Sequence, residues 1–475
     1  MAERDLLDAA PPTADGVVER APARRLLGRL NQRGFRLVMV ADAVALYAIA
    51  VGLMLLRHGT EWPTYPVTLY LVSFAVATAI FLAAVYFGGL YEREPRLGAP
   101  PALPRAARQT LVAGGMIALL NLGLTGFARE IGLTTERALP FPTQNLIAFI
   151  VLGAAVIAAN RRLVHLRRTG REGPPKVALV GTPEALETAR QHLSIDAERA
   201  SVVGEVADLA RLSEELERTD ATDVLLLTGD WLDRLYPDRL ENLERRGITV
   251  LLRVSGRETM YGLERVREVG GLPFVLLRSQ TMPRSRARFK RVFDLFMLLG
   301  TAPLWLPVLG LTALYQLVAA GRPLLYWQER VGAGGRTFRL VKFRTMPVDA
   351  EADGFGPRLA DLDDPRIIPA CRWIRATRLD ELPQLWNVLR GEMSLVGPRP
   401  ERPELTAEFE RAIPGYRRRY EVPPGLTGLA QIHGRYHTDA EYKLGYDLQY
   451  LVNWSPVLDL EIMARTLWVI LTRKL

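Results

Sequence analysis

The sequence predicts a membrane-α plus α/β protein. Its parts are an N-terminal four-helix transmembrane bundle, a Rossmann-like middle domain and a C-terminal α/β domain with a re-entrant membrane hairpin. Three observations predict this. Four apolar stretches approaching the length of a spanning helix crowd the first third of the chain. Short strand patterns alternate with helical ones through the middle. A fifth apolar stretch, interrupted by prolines and basic on both flanks, introduces a final third dense in polar motifs. At 475 residues the chain is about three domains long. The expected boundaries are a polar cytoplasmic tail over 1–30, the bundle over 31–168, the Rossmann-like domain over 169–284 and the C-terminal domain over 285–475. The tail is rich in Ala, Pro and acids, reads as disordered, and lacks the pattern of a secretory signal.

The expected spans are 37–56, 67–87, 111–127 and 146–160. Arginines cluster before the first span, between the second and third, and after the fourth, whereas the other two loops carry few. Basic loops stay in the cytoplasm, so both ends of the bundle are expected inside. Asp42 lies within the first span, where a carboxylate is costly. The expected resolution is a place near the cytoplasmic interface, paired with Arg36 or a loop arginine.

The net charge is +9, and only five of the 61 cationic residues are lysines. The basic clusters flank apolar segments and are not interleaved with stacking aromatics. A lipid bilayer therefore suits them better as partner, and no nucleic acid is expected. Cys371 is the single cysteine, which excludes an intrachain disulfide and a CxxC metal site.

In the middle domain, strand patterns at 176–181, 201–206, 223–227 and 249–254 alternate with helical segments, which implies a parallel sheet. A dinucleotide turn needs three glycines. The turn here reads Gly181-Thr182-Pro183-Glu184, with one glycine and an acid that repels pyrophosphate. A membrane-anchored nucleotide-sugar dehydratase also needs a Tyr-x-x-x-Lys pair. Lys176, the domain's single lysine, has no tyrosine at that spacing. A regulatory or assembly role is expected for this domain.

The fifth apolar stretch, 295–317, carries Pro303 and Pro307 near its middle, and arginines lie on both sides. Interior prolines break helices, and basic flanks keep both ends inside. A hairpin over 289–317 that enters one leaflet and returns satisfies both constraints, with Pro307 as its break.

Beyond it, Gln328 and Arg330 precede a glycine-rich turn, and Lys342-Phe343-Arg344-Thr345-Met346 follows. Cations two apart on a strand face the same way, so Lys342 and Arg344 can both reach phosphate oxygens. Next comes Arg375-Ala376-Thr377-Arg378-Leu379-Asp380-Glu381-Leu382-Pro383-Gln384. Thr377, three before Asp380, suggests a capping pattern with the two carboxylates in a first helical turn. Asp380, Gln384 and Asn387 then share one face. The helix start and Arg375 and Arg378 are expected to keep Asp380 ionised. Such a carboxylate can attack phosphorus, and Glu381 can bind Mg2+. Alternatively the pair is a stabilising N-cap. Gly397-Pro398-Arg399-Pro400 and the loop 424–431 read as rigid turns suited to phosphate.

Taken together, from Phe289-Lys290-Arg291-Val292-Phe293-Asp294 to the C-terminus, these motifs resemble the polyprenyl-phosphate hexose-1-phosphate transferases, the monotopic phosphoglycosyl transferases of bacteria. The bundle and middle domain resemble the long form of that family. The resemblance implies that Asp380 attacks the sugar-linked phosphate of a UDP-sugar and releases UMP, and that polyprenyl phosphate then takes the sugar phosphate. It implies Mg2+ held by Glu381 with Asp380. It further implies phosphate or nucleotide contacts by Lys342, Arg344, Thr345, Arg375, Arg399, Gln328 and Arg330, and a homodimer in the inner membrane with its catalytic domain on the cytoplasmic face. Leu306 stands where the family often has serine, and the run 364–370 lacks a later glycine. A membrane-anchored nucleotide-sugar dehydratase, disfavoured by the degenerate glycine turn, a non-catalytic export scaffold and a glycosyltransferase that releases UDP remain alternatives. The C-terminal stretch 450–475, apolar but interrupted by Asp459, Glu461 and Arg465, reads as an amphipathic helix on the membrane surface or, alternatively, as a packed core helix.

Overall fold

In the computed structural model of the chain, the residues described are 34–62, 65–92, 97, 101–130, 143–195, 200–235, 238–254, 267–269, 271–278, 282–348, 350, 364–413, 415–433 and 439–472. The expected tail, and with it the arginines before the first span other than Arg36, lies outside them. The chain divides into two compact units.

The first unit holds four long helices: α1 (Gly34–His58), α2 (Val67–Phe87), α3 (Ala102–Glu130) and α4 (Thr143–Glu172). Three contain segments long and apolar enough to cross a membrane, at Leu37–His58, Val67–Phe87 and Asn145–Arg171. The expected third span lies inside α3, whose side chains beyond Gly123 are outside the described residues. The interior is aromatic and aliphatic, with Phe81 and Phe149 rings 4.6 Å apart. The outside is apolar too, with Leu56, Leu119, Leu122 and Ile147 exposed. A helix bundle that is apolar on both its inner and outer faces requires lipid around it.

Asp42 is fully buried in this unit. Its Oδ2 accepts from Tyr91 Oη and Arg161, each at 2.8 Å, and its Oδ1 accepts from Asn160 at 2.7 Å. Arg161 is one of the arginines that follow the fourth span, so the carboxylate is paired as expected and has a full set of donors.

In the second unit, β1 (Lys176–Val180), β2 (Ser201–Val206), β3 (Asp223–Leu226) and β4 (Thr249–Arg253) lie parallel, in the order β2-β1-β3-β4. Helices α5 (Pro183–Ile195), α6 (Leu212–Thr219) and α7 (Asp238–Arg246) separate them. Two strands that the alternation did not reveal extend the sheet: β6 (Leu272–Leu277) pairs antiparallel with β4, and β5 (Arg267–Val269) pairs antiparallel with β6 at the edge. At the glycine turn, a Cβ on Gly181 would sit 2.8 Å from Leu227 Cβ. That glycine serves strand packing.

The chain then forms α8 (Arg284–Gly300) and α9 (Ala302–Ala319). The break falls at Thr301 (φ −94°, ψ 2°), six residues before Pro307, which lies inside α9. The expected break at Pro307 is thus displaced. Pro303 occupies the first turn of α9, where its missing N–H costs nothing, and it sets the start of the new helix. Ala302–Ala319 is itself long and apolar enough to cross a membrane. Phe296, Leu299, Leu304, Leu311 and Val318 are exposed along the two helices.

β7 (Leu325–Val331) and β8 (Thr337–Phe343) form an antiparallel hairpin. Then come α10 (Leu385–Arg390), β9 (Ser394–Val396), α11 (Pro403–Ala412), β10 (Gly425–Thr427), α12 (Ala440–Asn453) and α13 (Pro456–Thr472), with β9 and β10 paired in parallel. α8 is tied into this domain by a buried charge network. Lys290 reaches Asp459 at 2.9 Å and Asp294 at 3.6 Å. Tyr450 Oη and Trp454 Nε1 donate to Asp459, and Ser394 Oγ donates to Asp294. Asp459 thus turns inward on α13 and anchors the helix, while Val457, Leu467 and Trp468 remain exposed. Lys290→Met strands two buried carboxylates and should cost about 3–5 kcal/mol, read as a fall in Tm of the protein in nanodiscs.

Candidate active site

The β7–β8 hairpin delivers Lys342, and α10 with the preceding turns delivers the carboxylates. Asn387 locks the two together. Its Oδ1 accepts from Val341 N at 3.1 Å, and its Nδ2 donates to Arg339 O at 2.9 Å and to Glu392 at 2.7 Å. This side chain is 1% exposed. Its place on the polar face therefore serves the α10–β8 contact.

Asp380 and Glu381 sit in a 3₁₀ segment, Leu379–Gln384, packed against β8. The expected threonine cap does not form. Thr377 Oγ1 turns back to the carbonyls of Trp373 and Ile374, and Arg378 adopts a left-handed conformation (φ 58°) that redirects the chain. Asp380 is 7% exposed, and its buried Oδ1 has no hydrogen-bond partner. Burial and neighbouring Glu381 push its carboxyl up to about 7, against the pull of Lys342, Arg378 and Arg375. Burial thus works against the helix start and arginines that were expected to keep it ionised. Glu381 responds in the opposite sense. Burial raises it, but Lys342, Arg378 and Arg399 hold it below the usual range, and Arg378 binds it at 3.1 Å. Lys342 makes no hydrogen bond or ion pair among the described residues, and burial brings it down to about 8 despite the two carboxylates.

A cleft of about 260 Å³ is lined by Lys342, Glu381, Arg330, Gln384, Arg399 and Gln431, among others. Arg330 donates to Pro400 O at 3.0 Å and is oriented by Gln328 Oε1 at 2.7 Å. Burial, with Arg399 and Arg402 nearby, lowers it to about 10. Gln328 thus acts through Arg330. Arg375 is half-buried and influences Asp380 by charge.

Arg344 and Thr345 do not line this cleft. β8 ends at Phe343, so the two-residue alternation stops before Arg344. Its guanidinium donates to Pro323 O at 2.8 Å, Met346 O at 3.1 Å and Ala320 O, closing the C-terminal end of α9. Thr345 is buried, and its carbonyl accepts from Ile368 N.

The loops at 397–400 and 424–431 cross in backbone contact. A Cβ on Gly425 would lie 2.1 Å from Gly397 N and 2.2 Å from Thr427 O, and one on Gly428 would lie 2.2 Å from Gly397 O. These glycines allow close approach, and the crossing presents Arg399 to the cleft. Gly425→Ala has only backbone to push against. It should cost stability at the upper end of the about 1–3 kcal/mol typical of overpacked cores, measured by thermal unfolding.

Residues 285–473 match the model of a family described as bacterial sugar transferase. A UDP-glucose:undecaprenyl-phosphate glucose-1-phosphate transferase of Caulobacter vibrioides is 40% identical over 188 residues, which are 38% of this chain and 70% of that protein. The chain belongs to the bacterial sugar transferase family. Two further relatives widen the range of sugars. A UDP-N-acetylgalactosamine-undecaprenyl-phosphate N-acetylgalactosaminephosphotransferase of Aeromonas hydrophila is 39% identical over 189 residues, 39% of this chain and 44% of the relative. A UDP-galactose-lipid carrier transferase of Erwinia amylovora is 37% identical over 242 residues, 48% of this chain and 50% of the relative. The chain thus spans about half the length of these two. The bacterial sugar transferase match takes in the charge network, the dyad, Lys342 and the glycine crossing, and excludes the parallel sheet of the middle domain.

Proposed function

We propose that the protein transfers a sugar 1-phosphate from a UDP-sugar to polyprenyl phosphate and releases UMP. The observation that carries this is a buried Asp–Glu pair beside a cleft lined by Lys342, Arg330 and Arg399, within a sugar-transferase domain. A carboxylate oxygen of Asp380 attacks the sugar-linked phosphorus, and the phosphoanhydride bond to UMP breaks. A phosphate oxygen of the lipid then attacks the same phosphorus and frees the carboxylate. The product is a sugar-diphosphate polyprenol, as in the first membrane step of a surface polysaccharide. Lys342, Arg330 and Arg399 neutralise the phosphate oxygens.

The dyad fits Mg2+. No group of three His, Cys, Asp or Glu that could hold a metal occurs among the described residues, but Mg2+ at phosphate sites takes one or two carboxylates and completes its shell from phosphate and water. The partnerless Oδ1 of Asp380 and the oxygens of Glu381 would supply those two. When bound, the ion would offset the charge of the diphosphate.

The exposed apolar faces of α8 and α9 support a hairpin that enters the cytoplasmic leaflet of the inner membrane and returns. Cysteines introduced at Arg288 and Arg322, in a chain whose native Cys371 is buried, should both react only with a reagent applied from the cytoplasmic side. Labelling of the two from opposite sides would make α9 a fifth span. The homodimer is open to mass measurement in nanodiscs.

The test of function is nucleotide release by the full chain in nanodiscs with Mg2+, polyprenyl phosphate and a panel of UDP-sugars. UMP with one sugar is the expected result. UDP would mean that sugar moves without its phosphate.

A further inference from the structure

We propose that Arg419, held by Asp447, is a positioning residue for this transfer: it fixes the carbonyl of Arg399 and so sets how the Arg399 guanidinium enters the cleft. The inference rests on the reading of the site given above.

Arg419 is 6% exposed and Asp447, on α12, is 2% exposed. Two charges in an interior are costly unless geometry and hydrogen bonds compensate them. Here one planar fork serves three partners. It meets Asp447 at 2.9 Å, donates to Arg399 O at 2.9 Å and donates to the Tyr416 hydroxyl, with the Tyr416 ring 4.9 Å away.

The contrast with Arg399 is informative. Its side chain makes no hydrogen bond or ion pair among the described residues, yet it lines the cleft beside Lys342 and Glu381. Among the described residues, no side-chain hydrogen bond or ion pair directs it. The backbone around it is held at every step. The carbonyl of Pro398 accepts from Gly425 N, that of Arg399 from Arg419, that of Pro400 from Arg330, and that of Glu401 from Val331 N. Three of these donors belong to the β7 strand or the glycine crossing. Arg419, through Asp447, ties the carbonyl of Arg399 to α12, while Tyr450 on the same helix holds the carbonyl of Val396 just before the loop.

The test is a double-mutant cycle on the full chain in nanodiscs, reading kcat/KM for UMP release and Tm. In Arg419→Lys the ammonium can keep its charge pair with Asp447, but it cannot also fork to the carbonyl. The expected loss in kcat/KM is about 10–100-fold, the cost of a displaced contact. In an Arg399→Ala background the same change should cost less than about twofold, because nothing remains to be positioned. An equal loss in both backgrounds overturns the proposal. An Arg399→Ala protein as active as wild type overturns it too, and leaves the assignment of Asp380 standing on UMP release. If Arg419→Lys does not fold, Asp447→Asn enters the same cycle with the same expected non-additivity.

Discussion

An Asp380→Asn protein should release UMP slower than wild type by a factor on the order of 10⁴ or more, the scale on which loss of a nucleophile is felt. The amide keeps the shape of a side chain that is 7% exposed, but it replaces one carboxylate oxygen by NH2 and removes the negative charge. Stability should hold or rise. Burial and Glu381 already push this carboxyl toward its neutral form, and a neutral amide relieves that repulsion. Activity and Tm therefore move apart, and that separates a nucleophile from a helix-stabilising acid. A second readout needs no turnover. With labelled UDP-sugar and no lipid acceptor, wild type should carry the sugar phosphate covalently and the variant should not. Wild-type rates in the variant would remove Asp380 from the chemistry and leave the transfer to a different mechanism.

The parts of this architecture legible in the sequence are those set by local composition. Spans announce themselves because lipid demands long apolar runs, and β1 and β3 do so because central strands buried on both faces are largely apolar. The dyad and Lys342 were legible because their motifs are contiguous. What escaped is what depends on contacts between distant segments. Strand parity linked Lys342 to Arg344, but the strand ends between them, and Arg344 closes α9 more than twenty residues upstream in the chain. Thr377 has a capping spacing, yet its hydroxyl finds the preceding helix end first. Pro307 looked like the break, but the helix had already turned at Thr301, where Pro303 permits a new first turn. Arg417, Arg418 and Arg419 are consecutive in the sequence. Arg417 is exposed and pairs with Glu410, whereas Arg419 is buried against Asp447, and no local signal tells them apart. The glycines of the two crossing loops were visible as turn residues. Their close approach, between segments some thirty residues apart, was not.

Lys342→Met should lower kcat/KM by about 10²–10³-fold, the range for a lost charge-stabilising donor. The argument turns on what this lysine does not do. Lys290 is buried and binds Asp459 at 2.9 Å, so its removal should lower Tm. Lys342 makes no such bond, and burial brings it down to about 8 from its ordinary range. An ammonium held at that cost without a structural partner does not stabilise the fold, and a methionine of similar length should leave Tm unchanged or higher. Its charge is directed at Glu381 and Asp380 and is useful only when phosphate oxygens arrive between them. Removing it should raise KM for the UDP-sugar as well as lower kcat, since the same cation meets the diphosphate in the ground state and in the transition state. Lys342→Arg should rescue poorly, because a planar fork does not replace a point charge in a confined site. Steady-state UMP release and thermal unfolding on the same preparations decide the matter. A fall in Tm like that of Lys290→Met, with KM untouched, would make Lys342 a structural cation. The cleft's cationic side would then rest on Arg330 and Arg399 alone.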